Sequence, residues 1–110
     1  MSYRKLRTVN DVIELLDSYA PSQRVALVTG GNVVFHSLKI ADENGSVVLS
    51  WLRVASEAEF PSVYEVRSEL DHFDGGAPIF VVSTGGRLLR PLCVYPEVHS
   101  SIVCLGDGPD

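Results

Sequence analysis

TVNDVIELLDSY, residues 8–19, is the stretch that decides the fold, because its pattern returns at an offset of 54 residues (8 to 62) as SVYEVRSELDHF, residues 62–73. In both stretches apolar residues recur at i, i+3, i+7 and i+10, which is the spacing of one face of an amphipathic helix. Each stretch begins with a hydroxyl residue, Thr8 or Ser62, and has an acidic residue three positions later, as in a capping box. The two stretches therefore predict two helices of the same design.

Three apolar runs follow each predicted helix, and their alternation and β-branched content predict strands. The runs are RVALVT, VVFHSLKI and SVVLSWLRV in the first half, the last of them after the turn DENG, and PIFVVST, LLRPLCVY and SSIVCLG in the second half. A Gly-Gly pair lies at residues 30–31 and again at 85–86, after the first run of each half. Glycine accepts the positive φ that a tight hairpin requires, so both pairs are predicted to be turns.

These elements predict a single α+β domain over residues 1–110, built as a tandem duplication of an αβββ unit. Residues 8–54 form the first unit, residues 62–106 the second, and residues 55–61 the linker. We expect a pseudo-two-fold relation between the units, with the helices packed on an antiparallel sheet. Pro91 conflicts with its predicted strand because its ring removes a backbone donor, which predicts a bulge, a break in pairing or an edge position there.

Composition and charge limit the classes of function. The chain has 110 residues, of which 45% are hydrophobic and 21% charged, as in one globular domain. No apolar run approaches the roughly 20 residues that span a bilayer, and no apolar signal segment follows the basic N-terminus, so we expect a cytoplasmic protein that does not bind membranes. The net charge of −5 disfavours nucleic-acid binding. It suits a basic protein partner, and it is also ordinary for solubility.

The chemically reactive residues do not form a catalytic or metal-binding pattern. Cys93 and Cys104 are too few and too far apart for a zinc motif, and we expect them to be buried thiols. His36, His72 and His99 fall on three different predicted elements. No serine lies in a nucleophile motif. The sequence therefore predicts no metal, no cofactor and no enzymatic activity.

VALVTGG, residues 25–31, resembles the opening of the short-chain dehydrogenases, which would imply a nicotinamide dinucleotide. The fingerprint of that family requires glycines at positions 34 and 36, where this chain has Val34 and His36. It also requires a helix to begin there, so that helix amides receive the pyrophosphate, whereas VVFHSLKI predicts a strand. The dinucleotide interpretation is rejected on both grounds.

TVNDVIELLDSYAPSQRVALV, residues 8–28, is similar to small, mostly uncharacterised bacterial and phage proteins. In these proteins a Thr-Val-x-Asp/Glu helix is followed by a short break and a Val-rich strand. The resemblance implies the helix-and-strand unit and no particular activity.

Differences between the two halves give the candidate binding residues. Ile13 and Leu15 add apolar surface to the first helix, which predicts either a partner or dimer surface or a deeper burial of this helix. His36 and Arg90 hold equivalent places on the second strand of each unit, where they could line a ligand cleft or lie at a solvated margin. Arg87 stands beside Arg90 near the second glycine pair.

These observations favour a non-enzymatic protein-binding module, for example an inhibitor or immunity-type partner of a larger macromolecule. A protein partner or a homodimer is expected. The alternative is a protein that binds a small ligand or nucleotide in the groove between the repeats. An enzyme whose site the sequence conceals is the third possibility.

Overall fold

The computed structural model describes residues 4–28, 35–52, 60–82, 89–95 and 102–107. They form an α+β fold of two helices and a seven-stranded mixed sheet. In chain order the elements are β1 (Arg4–Leu6), α1 (Val9–Leu16), β2 (Arg24–Val28), β3 (Phe35–Glu43), β4 (Ser46–Leu52), α2 (Val63–Leu70), β5 (Ile79–Val82), β6 (Leu89–Tyr95) and β7 (Ile102–Asp107). Both helices and four of these strands, β2, β4, β5 and β6, lie within the stretches that the sequence predicted. β3 extends three residues beyond its predicted stretch and β7 one residue beyond. The three-residue strand β1 was not predicted.

The sheet consists of two antiparallel meanders, β2–β3–β4 and β5–β6–β7. The meanders join through two parallel pairings, β2 with β7 and β4 with β5. Because β6 pairs with β7 as well as with β5, these six strands form a closed circuit. Because two of the pairings are parallel, the prediction of an antiparallel sheet is wrong. A tight turn between two strands makes them antiparallel, whereas the connection from β4 to β5 passes through α2 and lets β5 run in the same direction as β4.

Alternate residues of each strand point to opposite faces of the sheet. One face, called the inner face here, forms the main core together with the helices. The first three positions of each predicted helical stripe are confirmed, because they are fully or almost fully buried in this core: Val9, Val12 and Leu16 on α1, and Val63, Val66 and Leu70 on α2. The fourth positions, Tyr19 and Phe73, lie beyond the helix ends and pack half-buried against the core. Burying a side chain of this size contributes about 1.5–3 kcal/mol, so these stripes hold both helices on the sheet.

The opposite face, called the outer face, is covered over β2 and β7. A smaller cluster forms there from Ala26, Val28, Phe60, Ile102 and Cys104, with Tyr95 packed against it. β2 and β7 are therefore buried on both faces, which is usual for a parallel pair.

Both predicted capping boxes are confirmed. The Thr8 hydroxyl accepts from the Asp11 amide over 3.3 Å, and the Asp11 carboxylate accepts from the Thr8 amide over 3.1 Å. Ser62 and Glu65 form the same reciprocal pair, over 3.1 and 3.2 Å. Each box satisfies amides that the first turn of a helix leaves without an intrahelical acceptor.

The turn predicted at DENG is confirmed between β3 and β4. Asn44 and Gly45 have φ angles of 54° and 86°, which fit the two-residue hairpin turn that favours Asn-Gly. The glycine pairs at 30–31 and 85–86 and residues 55–59 of the predicted linker lie outside the described residues.

Pro91 lies where β6 changes its partners. Residues 89–91 pair with β5, with Pro91 opposite Phe80. The pairings of β6 with β1 and β7 begin at Leu92. β6 runs through Pro91 as a paired strand and is not an edge strand, so the irregularity predicted for Pro91 takes the form of a change of partner between Pro91 and Leu92. Neither described helix is long and apolar enough to cross a lipid bilayer.

Candidate functional site

A groove of about 300 Å³ opens where β1 and β5 meet beside β6. The two strands are joined at this point, because the Ile79 amide donates to the Arg7 carbonyl over 3.1 Å. The groove is lined by Lys5, Leu6, Arg7, Ile79, Phe80 and Pro91. Two of these residues, Leu6 and Ile79, are each only 1% exposed and belong to the main core, so they form a buried floor. Phe80 and Pro91 form its apolar wall as a cross-strand pair.

The rim of the groove is positively charged. Lys5 and Arg7 are both exposed, and within the described residues neither side chain takes part in an ion pair. The nearby Asp11 carboxylate is occupied by the helix cap, because it accepts from the backbone amides of Arg7 and Thr8. These hydrogen bonds lower the pKa of Asp11 below its ordinary value. The rim is thus a local cationic site on a chain of net charge −5.

An apolar strip continues from the groove along the outer face of β5 and β6. Val82 lies opposite Leu89, next to the pair of Phe80 and Pro91. Leu89 is 49% exposed, which is high for a large apolar side chain. The outer face of β2 is different, because Phe60 and Tyr95 help to cover it. The outer face of β5 and β6 is therefore the more open of the two.

The apolar additions to α1 are explained by packing. Leu15 is 7% exposed and belongs to the main core, and the half-buried Ile13 packs against that core. The structure thus favours deeper burial of α1 over a partner surface built from these two residues. Ile13 and Leu15 are not part of the candidate site.

His36 and Arg90 lie on the inner face, near the ends of their strand pairs. The ring of His36 contacts that of Trp51, with centroids 4.7 Å apart. Trp51 Nε1 donates to the Val82 carbonyl over 3.1 Å, which connects β4 with the end of β5. Arg90 is half-buried and lies opposite the core residue Val81. Arg87 and His99 lie outside the described residues.

A second pocket, of about 450 Å³, lies between the β3–β4 turn and the segment after α2. It is lined by Asp42, Gly45, Val47, His72, Phe73, Asp74, Gly76, Ala77 and Pro78. The Asp74 carboxylate already accepts from the Gly76 amide over 3.1 Å. Across the ranges that the structure describes, no group of three or more His, Cys, Asp or Glu side chains is placed to hold a metal ion.

The helix N-termini offer no open anion site, because their first amides already have acceptors. The Val9 amide donates to the Ala77 carbonyl over 3.1 Å, and the Asn10 amide to the Gly75 carbonyl over 2.9 Å. The first amides of α2 donate in the same way to carbonyls of the segment that follows α1. The Val63 amide donates to the Gln23 carbonyl over 2.7 Å, and the Tyr64 amide donates to the Pro21 carbonyl over 3.1 Å. Phosphate binding at a helix start requires free amides, so neither helix is suited to it.

Both cysteines are buried, as expected. Burial raises the pKa of Cys104 to about 11, so its thiol is protonated at neutral pH. A protonated, buried thiol is a poor nucleophile, so Cys104 is suited to packing rather than to catalysis.

No family model, no curated protein and no solved structure matches this chain. The resemblance to small bacterial and phage proteins stays a prediction. Sequence analysis pointed to the neighbourhood of Pro91 but missed Lys5, Arg7 and Phe80. The one signal for the first two was the cluster of basic residues in RKLR, residues 4–7.

Proposed function

We propose that this protein is a non-enzymatic protein-binding module whose binding surface is the groove at Pro91 together with the apolar strip of Phe80, Val82 and Leu89. The observation that carries the proposal is the combination of an apolar wall, a buried floor and an exposed basic rim at one place. Protein interfaces have this composition, with an apolar centre and a polar margin. An inhibitor or immunity-type partner of a larger macromolecule is the specific form that we favour.

The size of the groove favours a protein partner over a small ligand. Small-molecule sites usually enclose about 300–1,000 Å³, so the groove is at the lower limit and is open. It can receive one anchoring side chain. A stable protein interface buries about 800 Å² on each partner, so the groove and the strip form the centre of a larger contact.

A selection from a displayed peptide library tests this function without assuming a partner. The immobilised protein should enrich binders, and those binders should lose affinity for a Leu89→Ser variant. Leu89 is exposed, so this substitution removes apolar surface from the strip with little effect on the core.

Tyr64→Ser is the matched control. Tyr64 is 66% exposed on α2, outside the groove and the strip, and its substitution should leave binding unchanged. Equal thermal unfolding of both variants establishes that the folds are intact. Binders that tolerate Leu89→Ser, or a selection that enriches none, would contradict the proposed surface.

The contact between His36 and Trp51 favours a second candidate function, the binding of a small ligand or nucleotide at this aromatic pair. Aromatic rings suit the stacking of a planar molecule such as a nucleotide base. Trp51 is the single tryptophan of the chain, so its fluorescence reports directly on this site. A saturable change on titration with nucleotides, reduced in His36→Ala, would support this function. A flat titration would reject it.

The tandem duplication belongs to the same proposal. It is supported by backbone hydrogen bonds that occur in pairs at the 54-residue offset, so that each helix start is capped by the segment that follows the other helix. The pairs are Val9 to Ala77 with Val63 to Gln23, Asn10 to Gly75 with Tyr64 to Pro21, and Ile79 to Arg7 with Val25 to Pro61. An experimental structure should superpose residues 8–52 on residues 62–106. Units that differ in strand order would contradict the duplication.

A further inference from the structure

We propose that the partner presents an acidic segment with a large apolar side chain to the groove. The apolar side chain packs against the wall formed by Phe80 and Pro91, and flanking carboxylates pair with Lys5 and Arg7. This inference rests on the proposed function and names the chemistry of the partner.

The two basic residues lie beside the apolar wall of the groove. Lys5 lies on the outer face, opposite Cys93 of β6, and Arg7 follows β1 directly. Both line the groove whose apolar wall is Phe80 and Pro91. A ligand that packs on this wall therefore lies within reach of two cations. Burying it beside these cations without a counter-charge would cost free energy, so the chemistry of the rim selects carboxylates.

The net charge of the chain favours a short acidic segment over a long polyanion. The net charge of −5 repels an extended polyanion such as a nucleic acid, which needs basic residues along its full length. The groove instead offers two cations around an apolar centre. This local complementarity suits a short acidic stretch in a protein, where one or two carboxylates flank an apolar anchor.

The position of β1 at the edge of the described sheet favours an extended partner segment. Among the described strands, β1 pairs with β6 alone, so β1 is an edge strand of the described sheet. An extended segment can lie along this edge and place alternate side chains into the groove.

Two fluorescently labelled synthetic peptides of equal length test the inference. One has a central Leu-Phe pair flanked by Glu residues, and the other has the same pair flanked by Lys residues. Fluorescence anisotropy should detect binding of the Glu peptide to the wild-type protein and at least tenfold weaker binding of the Lys peptide. Binding of the Glu peptide should weaken as NaCl rises from about 50 to about 500 mM.

Charge reversal at the rim is the decisive variant. The double variant Lys5→Glu/Arg7→Glu should bind the Glu peptide about fivefold or more weakly than the wild type does. Leu89→Ser should lower the affinity for both peptides. Lys39→Glu is the matched control, because Lys39 is exposed on β3 and lies outside the groove. It should change affinity less than twofold.

The outcomes separate this inference from the proposed function. The inference of an acidic partner would be wrong if the two peptides bind with equal affinity. It would also be wrong if charge reversal at Lys5 and Arg7 leaves the affinity for the Glu peptide unchanged. If library-selected binders that depend on Leu89 still exist in that case, the protein-binding function stands with a partner of different charge. If neither peptide binds and the library enriches no binder, both proposals fall.

Discussion

The Asn10 amide donates to the Gly75 carbonyl over 2.9 Å, and the Asn10 side chain fills the space where a β-carbon of residue 75 would lie. The first turn of α1 thus rests on the segment that follows α2. This contact joins the two halves of the chain, and neither residue lines the groove, so it tests the fold separately from binding.

Gly75→Ala should destabilise the protein by about 1 kcal/mol, because the new methyl group displaces the Asn10 side chain from its place beside the loop. Urea unfolding followed by Trp51 fluorescence measures the change. Gly76→Ala is the matched control, since its nearest neighbour is an Asp74 oxygen at 3.8 Å. It should be neutral or slightly stabilising. Equal losses at the two positions would contradict the described packing.

Gly106→Ala should be far more damaging, by about 3 kcal/mol or more. A β-carbon at residue 106 would collide with the backbone carbonyl of Val28, its partner in the parallel pairing of β2 and β7. The backbone of a paired strand cannot move aside as a flexible side chain can. The same urea titration measures the loss. A stable Gly106→Ala protein would contradict the close approach of these two strands.

The helices and the hairpin between β3 and β4 could be predicted because their signals are local. The capping residues Thr8 and Ser62, the apolar stripes and the Asn44-Gly45 turn are each encoded within a few neighbouring residues. The parallel joins of the sheet could not be predicted in this way. They depend on which strand edges meet after the chain has collapsed, and hydrophobic alternation carries no such information.

The candidate site was predictable only in part. Pro91 marked the irregular strand, because a missing donor is a property of one residue. The groove itself forms where β1 meets β5, which are more than 70 residues apart in the sequence, from Leu6 to Ile79. β1 has three residues, too few for any periodic pattern to indicate a strand. The basic rim therefore became visible only in the fold.

Asp11→Ala should destabilise the protein by about 0.5–1 kcal/mol at pH 7, because it removes the acceptor of two backbone amides in the cap of α1. The pKa of Asp11 is lowered in the folded state, so its contribution is fully present above the unfolded value of about 4. It should be lost as pH falls through the folded value. Unfolding titrations from pH 7 to pH 2.5 should show the wild type and the variant converging at low pH.

Thr8→Ala provides the control for that experiment. Its hydroxyl accepts from the Asp11 amide but does not titrate, so the part of its loss that comes from this hydrogen bond should persist at low pH. If the difference in the free energy of unfolding between the wild type and Asp11→Ala stays constant down to pH 2.5, the carboxylate charge plays no part in the cap.

Cys104 should resist thiol reagents in the folded protein. Its pKa is raised to about 11 by burial, so at pH 8 it is protonated as well as inaccessible. Because the folded pKa lies above the unfolded value of about 8.5, its contribution to stability is present below that value. It should decline as pH rises toward 11, and this decline should be smaller in Cys104→Ala. Rapid labelling of both thiols without denaturant would contradict the burial of Cys93 and Cys104.

The most direct test of the proposed binding surface is a two-dimensional amide NMR titration of the ¹⁵N-labelled protein with a library-selected binder. The account predicts that the largest shifts fall on Lys5, Arg7, Phe80, Val82 and Leu89, with Tyr64 on α2 and Lys39 on β3 unchanged. Shifts centred on α2, on the β3–β4 turn, or on His36 and Trp51, with the groove residues unmoved, would contradict it.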